Sequence, residues 1–326
     1  MPPKAKLPGE FELIERLVKS LPVSKRTVLG PGDDCAILAA SRRAQLFTID
    51  SMLEDVHFRI GWGPPEKLGA KALAVNLSDI AAMGGTPTAC VINLAIREGL
   101  EARFFDHLYA GLRATAARYK VDVVGGNVTR ADRLAITVAL LGDASGGVMR
   151  RDLARAGDDI FVTGTVGDSA AGLAILLGKR AARAAARRFL LERHLNPTPR
   201  IEAGLALAEL RPTPAAIDIS DGLLQDLGHI CARSSVGAEV EARALPVSSA
   251  YHEAMNDDLS LALGGGEDYE LLFCTRGHTE EALTRALGIP IRRIGRIIKG
   301  RRTIVRDAHG IIMPHIRGWD QLRARA

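Results

Sequence analysis

Residues 66–96 read EKLGAKALAVNLSDIAAMGGTPTACVINLAI. From Glu66 to Met83 the apolar run has helical length and is stopped by Gly84-Gly85, which predicts a helix with a glycine end. Cys90 to Ile96 is short, apolar and rich in Val and Ile, and predicts a buried strand. The same alternation continues outward. Residues 46–50 (LFTID) read as a strand, Glu101 to Tyr119 as a helix, Val121 to Val124 as a strand, Gly125-Gly126-Asn127 as a loop, and Leu134 to Leu141 as a strand. The charged, glycine-containing segment GGVMRRDLARAGDD (146–159) then leads to a fresh strand at Ile160 to Thr163. Beyond it come a helix from Ser169 to Leu177, a strand from Ala215 to Ile219, a helix from Gly222 to Arg233, and strands at Tyr269 to Cys274 and Ile291 to Ile298. The fold class expected is α/β with mixed sheets, in two domains at 1–147 and 148–326.

The 326 residues are 47% hydrophobic and 25% charged with a mean hydropathy of +0.07, which excludes a disordered or collagen-like chain. The longest apolar segment, LAITVALLG at 134–142, falls well short of the ~20 residues that span a bilayer. The opening MPPKAKLPGEFELIERL lacks the apolar core of a signal peptide. The expectation is a cytoplasmic protein with no membrane partner. Cys35, Cys90, Cys231 and Cys274 are far apart and form no C-x-x-C, so four reduced thiols are expected. The net charge of +5 comes largely from arginines in KRAARAAARRF (179–189) and RRIGRIIKGRR (292–302). No aromatic residues interleave with them as a stacking platform would require, so they read as solvated surface and no nucleic-acid partner is expected.

Chemistry concentrates in aspartates. Neither a Walker A loop, a dinucleotide fingerprint, a zinc-protease motif nor a protein-kinase motif set is present. Asp33 and Asp34 follow the turn Gly30-Pro31-Gly32, a pattern that a surface turn also explains. Asp50 ends the strand LFTID and is followed by Glu54, Asp55 and His57, a charged cluster at a strand's carboxyl end. Asp79 shares a face with Asn76 in the apolar AVNLSDIAAM, where a carboxylate needs either a cation or buried hydrogen-bond donors. Asp218 and Ser220 share one face of AAIDISDG, and Asp221 falls at the natural N-cap of the next helix. Gly264-Gly265-Gly266-Glu267-Asp268-Tyr269 is either a close backbone approach to a ligand or a flexible loop. Repeated hard oxygen donors favour Mg²⁺, which usually binds through a few carboxylates together with substrate phosphates. GGNVT (125–129) and GTVG (164–167) are two places where backbone N–H groups would meet such phosphates.

Taken in order, GDDCAIL, TIDSMLEDVHF, GAKALAVNLSDIAAMGGTP, VVGGNVTR, RAGDDIFVTGTVGDSAAGL, IDISDGLLQDL and GGEDYELLF resemble the thiamine-monophosphate kinase family, from GEFELI near residue 9 to GWDQL at 318. That family shares a superfamily with aminoimidazole ribonucleotide synthetase, selenophosphate synthetase and a hydrogenase-maturation protein. The resemblance implies an N-terminal domain whose strands pair across a homodimer, a C-terminal synthetase-like domain, and ATP held between them. It implies transfer of the ATP γ-phosphoryl group to thiamine monophosphate, giving thiamine diphosphate, without a general base. By the same resemblance Asp34, Thr48, Asp50, Asp79 and Asp218 would be Mg²⁺ ligands, with Asn127 at a further metal position and Asp221 near an additional ion. Tyr109, Gly126, Asn127, Arg151 and Ser220 would contact ATP, and His57, Glu267 and Trp319 would contact thiamine monophosphate.

Three departures stand out against the family's pattern. GGNVT replaces GGDTT, Ile49 stands where Thr or Ser is usual, and EDVHF replaces EGVHF. The alternatives are another ATP-using member of the superfamily, a two-metal phosphohydrolase using the same aspartates, and a non-catalytic nucleotide-binding module. The selenophosphate enzyme would need a reactive Cys or selenocysteine near its N-terminus, and the hydrogenase-maturation enzyme a C-terminal Cys; the first Cys here is Cys35 and the sequence ends RARA.

Overall fold

The computed structural model describes residues 9–19, 21, 23–31, 35–307, 310–312 and 318. Two expected site residues, Asp34 and Trp319, lie outside the described residues. The chain divides into two compact units, residues 1–80 with 86–144, and residues 81–85 with 145–326.

The first unit opens with α1 (Glu10–Val18) and a small antiparallel pair, β1 (Thr27–Leu29) and β2 (Ile37–Leu38). It continues through β3 (Gln45–Leu53), α2 (Pro65–Ala82), β4 (Gly85–Ile96), α3 (Ala102–Tyr119), β5 (Asp122–Arg130) and β6 (Ala135–Ala144). The larger sheet has the order β3-β6-β4-β5, with β3 antiparallel to β6 and β4 parallel to β5. Leu73, Leu77 and Ile80 of α2 are buried, as are Phe105, Leu108 and Leu112 of α3. The two helices cross so closely at Gly69 that a Cβ there would lie 1.9 Å from the Leu108 carbonyl oxygen.

Strand β3 alternates strictly. Leu46, Thr48, Asp50 and Met52 are half-buried or buried, while Phe47, Ile49 and Ser51 are exposed. Thr48 bonds to Asp79 of α2, so the first set faces the helix layer. The second set leaves Phe47 71% and Ile49 63% exposed on the opposite face. One expectation is corrected here. Gly125-Gly126-Asn127 is not a loop but part of β5, where Val91 to Ile96 run in parallel register with Gly125 to Arg130. A register shift between Cys90 and Val91 admits the extra residue. Gly126 permits the pairing, because a Cβ there would lie 2.2 Å from the Ile92 carbonyl oxygen.

The second unit is built on seven strands, β7 (Asp159–Thr163), β8 (Ala215–Asp218), β9 (Gly237–Glu241), β10 (Leu271–Thr275), β11 (Ile291–Ile298), β12 (Thr303–Asp307) and β13 (Gly310–Ile312). Their order is β13-β12-β9-β11-β7-β10-β8, antiparallel except for β12 beside β9. Phe161 and Phe273 face each other across β7 and β10, with rings stacked at 5.5 Å. The helices are α4 (Asp168–Leu176), α5 (Ala184–Leu195), α6 (Ile201–Ala208), α7 (Leu223–Ser234), α8 (Ser249–Met255), α9 (Ser260–Gly264) and α10 (Glu280–Leu287). In α5 the basic run reads as a solvated face, with Arg187 and Arg188 exposed and Ala186, Leu190 and His194 buried. Among the described residues no helix is long and apolar enough to cross a membrane. All four cysteines are free thiols.

Candidate active site

In the first unit several of the expected site residues lie where β3 passes α2. Strand alternation places Thr48 and Asp50 on the helix-covered face. The Thr48 hydroxyl donates to Oδ2 of Asp79, which lies in the fourth turn of α2. One turn earlier, Asn76 is fully buried; its Nδ2 donates to the Ala72 carbonyl at 3.2 Å, and its Oδ1 has no partner among the described residues. These donors are all hard oxygens, without thiolate or imidazole among them, and as a set they suit Mg²⁺. On the neighbouring strands Asn127 pairs in register with Asn93, and Asn127 Nδ2 donates to Asn93 Oδ1 at 2.9 Å. Gly126 and Asn127 are exposed. Tyr109 is instead a buried residue of α3, and burial pushes its phenol above the usual range.

The segment after β3 is a tight turn built on backbone bonds. The Glu54 N–H donates to the Leu134 carbonyl and the Asp55 N–H to that of Phe58. Glu54 is a structural anion. It is buried, which alone would raise its pKa, yet the Arg97 Nε at 2.8 Å and the Leu134 N–H at 3.1 Å hold its carboxyl below the usual value. Asp55 has φ +66°, the left-handed conformation in which glycine is unstrained, and this explains why EGVHF is the usual form of the motif. His57 is half-buried, and its Nδ1 accepts from the Leu53 N–H at 3.0 Å.

In the second unit, Asp218 ends β8 and is buried, in register with Leu271. The chain then turns through Ser220, Asp221 and Gly222 into α7. The Glu267 N–H donates to the Ser220 carbonyl at 2.8 Å, the Tyr269 N–H to that of Ile219 at 2.9 Å, and the Ile219 N–H to that of Glu270 at 2.9 Å. The loop of residues 264–269 is therefore locked to the turn of residues 219–222. Gly266 allows it, since a Cβ there would lie 2.3 Å from the Ser220 carbonyl oxygen. Asp218, Ser220, Asp221 and Glu267 are thus gathered at one end of the sheet. Arg151 is not gathered with them. Its carbonyl accepts from the Ser234 hydroxyl at 2.7 Å, at the other end of α7, a 12-residue helix roughly 18 Å long.

Two expectations for this region are corrected. Asp221 is not the N-cap of α7; that position is Gly222, and Asp221 Oδ2 instead accepts from Gln225 Nε2 at 3.1 Å. The turn's donors are satisfied from inside the helix, because Asp226 Oδ2 accepts the N–H groups of Ser220, Asp221 and Gly222 at 3.1, 3.1 and 3.0 Å. Burial still pushes the Asp226 carboxyl up to about 7. GTVG at 164–167 does not present its N–H groups to a ligand either. Asp268 takes the Gly167 N–H at 2.6 Å and the Ser169 N–H at 3.1 Å, so a carboxylate of the chain itself occupies the start of α4. Neither Asp226 nor Asp268 is among the expected site residues; the visible signal for Asp226 is a carboxylate in the first turn after SDG. Beneath the loop, buried Glu270 accepts from Thr163 Oγ1 at 2.6 Å, Arg193 Nη2 at 2.7 Å and Arg200 Nε at 2.7 Å. His194 Nδ1 lies 3.4 Å from Glu267 Oε2. Asp221, Asp226 and His229 each bring one ligand atom within 4.8 Å of the others.

Comparison with known proteins agrees with this layout. Residues 32–144 match the AIR synthase related protein N-terminal domain, and residues 155–308 match its C-terminal domain. The chain is 42% identical over 303 residues to the thiamine-monophosphate kinase of Salmonella typhimurium, covering 89% of this chain and 90% of the relative. A solved thiamine-monophosphate kinase from Stenotrophomonas maltophilia superposes with a TM-score of 0.79 at 38% identity, covering 90% of this chain and 94% of that one. The structure of AaThiL complexed with AMPPCP and TMP superposes with a TM-score of 0.76 at 33% identity, covering 96% of each chain. With both domains of the superfamily present and this identity sustained over nine-tenths of its length, the chain belongs to the thiamine-monophosphate kinase family.

Proposed function

We propose that the chain transfers the γ-phosphoryl group of ATP to thiamine monophosphate, giving thiamine diphosphate and ADP, as a cytoplasmic, Mg²⁺-dependent homodimer. The observation that carries the reading is the hard-oxygen set on β3 and α2, Thr48, Asp50 and Asp79, with Thr48 bonded to Asp79. All three are half-buried and offer the hard oxygen atoms that Mg²⁺ takes as ligands. When bound there, Mg²⁺ would screen the repulsion between two polyanionic substrates and offset charge on the transferring group. The acceptor is a phosphate oxygen already ionised at neutral pH, so the chain needs no general base, and the work left to it is alignment.

In this reading Asp34, Thr48, Asp50, Asp79, Asn127 and Asp218 hold metal, with Asp221 near a further ion. Gly126, Asn127, Ser220, Arg151 and Tyr109 serve the nucleotide. His57, Glu267 and Trp319 serve thiamine monophosphate. The Asp226 carboxylate fixes the turn that carries Ser220 and Asp221, and the locked loop of residues 264–269 fixes Glu267. The homodimer reading is supported by Phe47 and Ile49, a large apolar pair exposed on the sheet face away from α2.

Incubation with ATP, Mg²⁺ and thiamine monophosphate, with chromatographic identification of products, tests the reading. Thiamine diphosphate should appear in step with ADP, and Asp79→Asn should lower kcat by roughly 10². Release of inorganic phosphate from ATP without the acceptor would favour a phosphohydrolase instead.

A further inference from the structure

The second unit holds a cavity of about 470 Å³ at the end of its sheet away from Asp218. Asp218 pairs with Leu271 at the start of β10, whereas the cavity is lined by Thr275 at that strand's end, four residues or about 13 Å further on. Arg150, Arg155 and Arg276 line it with one carboxylate, Asp158. Only one oxygen of Asp158 is hydrogen-bonded; Oδ1 is ion-paired but makes no hydrogen bond among the described residues. Its Oδ2 takes the Arg155 backbone N–H at 2.7 Å, and its Oδ1 pairs with Arg276 Nη2 at 2.7 Å, which holds that guanidinium at the cavity wall. Arg150 is held by Asp152 through two bonds of 2.8 and 3.1 Å. The Arg155 guanidinium has no ion pair among the described residues. Thr275 is only 2% exposed, and its hydroxyl has no hydrogen-bond partner among the described residues. A buried hydroxyl is costly to leave unbonded, and here it lines a cavity together with an unpaired guanidinium and with Asp158 Oδ1, itself without a hydrogen bond, so the lining offers a ligand several donors and one acceptor.

We propose that this cavity, lined by the sequence neighbours of Arg151 but at the opposite end of the sheet from Asp218 and Glu267, is a second ligand site that takes a phosphate monoester with a compact apolar body. Three guanidinium groups against two carboxylates, Asp158 and the Asp152 that holds Arg150, leave an excess of one positive charge, at Arg155, and planar guanidinium donors suit phosphate oxygens. The Thr275 hydroxyl adds a neutral donor from the floor. Val148, Leu153 and Pro212 supply an apolar side for the organic part of the ligand. No aromatic side chain lines the cavity, so it offers no stacking surface for a nucleobase. Its volume lies within the range of small-molecule sites.

Calorimetric titration of the full chain with phenyl phosphate, and separately with inorganic phosphate, tests this, with Mg²⁺ and a non-hydrolysable ATP analogue saturating throughout. Phenyl phosphate should bind at least ~10-fold more tightly than inorganic phosphate, because only it fills the apolar side. Arg155→Gln removes an exposed, unpaired cation, and Thr275→Val removes the unbonded hydroxyl at constant shape, so both should fold as the wild type does. Each should weaken phenyl phosphate binding at least ~5-fold, as expected for a lost hydrogen bond to a charged group. His57→Ala should leave it unchanged. The proposal is overturned if the wild type binds neither probe, or if either cavity variant binds phenyl phosphate as tightly as the wild type.

Discussion

Leu53 and His57 exchange two hydrogen bonds: the Leu53 N–H donates to His57 Nδ1 at 3.0 Å, and the His57 N–H donates to the Leu53 carbonyl at 2.9 Å. The first bond makes Nδ1 an acceptor and so puts the ring proton on Nε2, the atom left for a substrate. The first bond fixes the ring before any ligand arrives, and the second fixes the His57 main chain. His57→Asn retains an acceptor for the Leu53 N–H but loses the Nε2 donor. Its thermal midpoint should match the wild type, while KM for thiamine monophosphate rises by roughly 10-fold, the scale of one hydrogen bond. An unchanged KM would remove His57 from substrate binding.

Two residues earlier, Asp55 adopts φ +66°. An L-residue pays for this conformation in steric energy, and Asp pays less than most because its short side chain tolerates the left-handed region. Asp55→Gly should therefore change stability by no more than about 1 kcal/mol, since relief of strain is offset by added freedom in the unfolded chain. Asp55→Val should destabilise by about 1–2 kcal/mol. Urea unfolding of the two variants measures the difference.

These two positions show what was legible in the sequence. Periodicity and glycine stops locate α2, α3 and most strands, because burial repeats at the element's own period. Asp79 and Asp218 are legible as carboxylates in apolar runs, and the fold sets Asp79 against Thr48 and buries Asp218 at the end of β8. What the sequence conceals is who satisfies whom. Nothing local says that Asp226 reaches back to three N–H groups of the preceding turn, or that Asp268 occupies the start of α4 from about a hundred residues away. Such pairings depend on tertiary approach, and so does the strand pairing of Gly126, which a local reading of GGN takes for a loop.

Asp268 also carries a pH dependence. Burial pushes its carboxyl from the ordinary 3.8 to about 8, although two N–H groups and the Arg193 charge act in the opposite sense. The folded state therefore keeps a proton that the unfolded state releases near its ordinary value. Stability from this group is full below about pH 4 and falls as pH rises toward 8. Asp268→Asn removes the titration while keeping an acceptor for one N–H. Between pH 5 and pH 8 the wild type should lose at least ~1 kcal/mol more unfolding free energy than the variant, since one pKa unit corresponds to ~1.4 kcal/mol. Parallel slopes would show that Asp268 is ionised throughout.

The exposed face of β3 offers a test of assembly. Phe47 and Ile49 lie two residues apart on one face, opposite Leu141 and Ala139 of β6. Burying each side chain against a partner would contribute about 1.5–3 kcal/mol, and a carboxylate in its place would oppose association. Sedimentation of the wild type at micromolar concentration should give twice the 34.9 kDa chain mass, and Phe47→Glu with Ile49→Glu should give the single chain. A wild-type monomer would end the homodimer reading.

Asn127 tests the metal assignment at the point where this chain departs from its family. Its Nδ2 donates to Asn93 Oδ1 across a parallel strand pair, so the side chain is already oriented by the sheet, and its own carbonyl is a neutral hard oxygen. A neutral ligand attracts Mg²⁺ less than a carboxylate does, but repels incoming phosphates less. Asn127→Asp should lower the Mg²⁺ concentration that gives half-maximal rate, because the added charge faces the ion while Asn93 can turn its amide to donate to the new carboxylate. Asn127→Leu keeps the size and removes both the oxygen and the bond to Asn93, and should raise that concentration several-fold. If neither substitution moves the Mg²⁺ dependence, Asn127 serves only to join β4 to β5, and the metal positions fall to the aspartates alone.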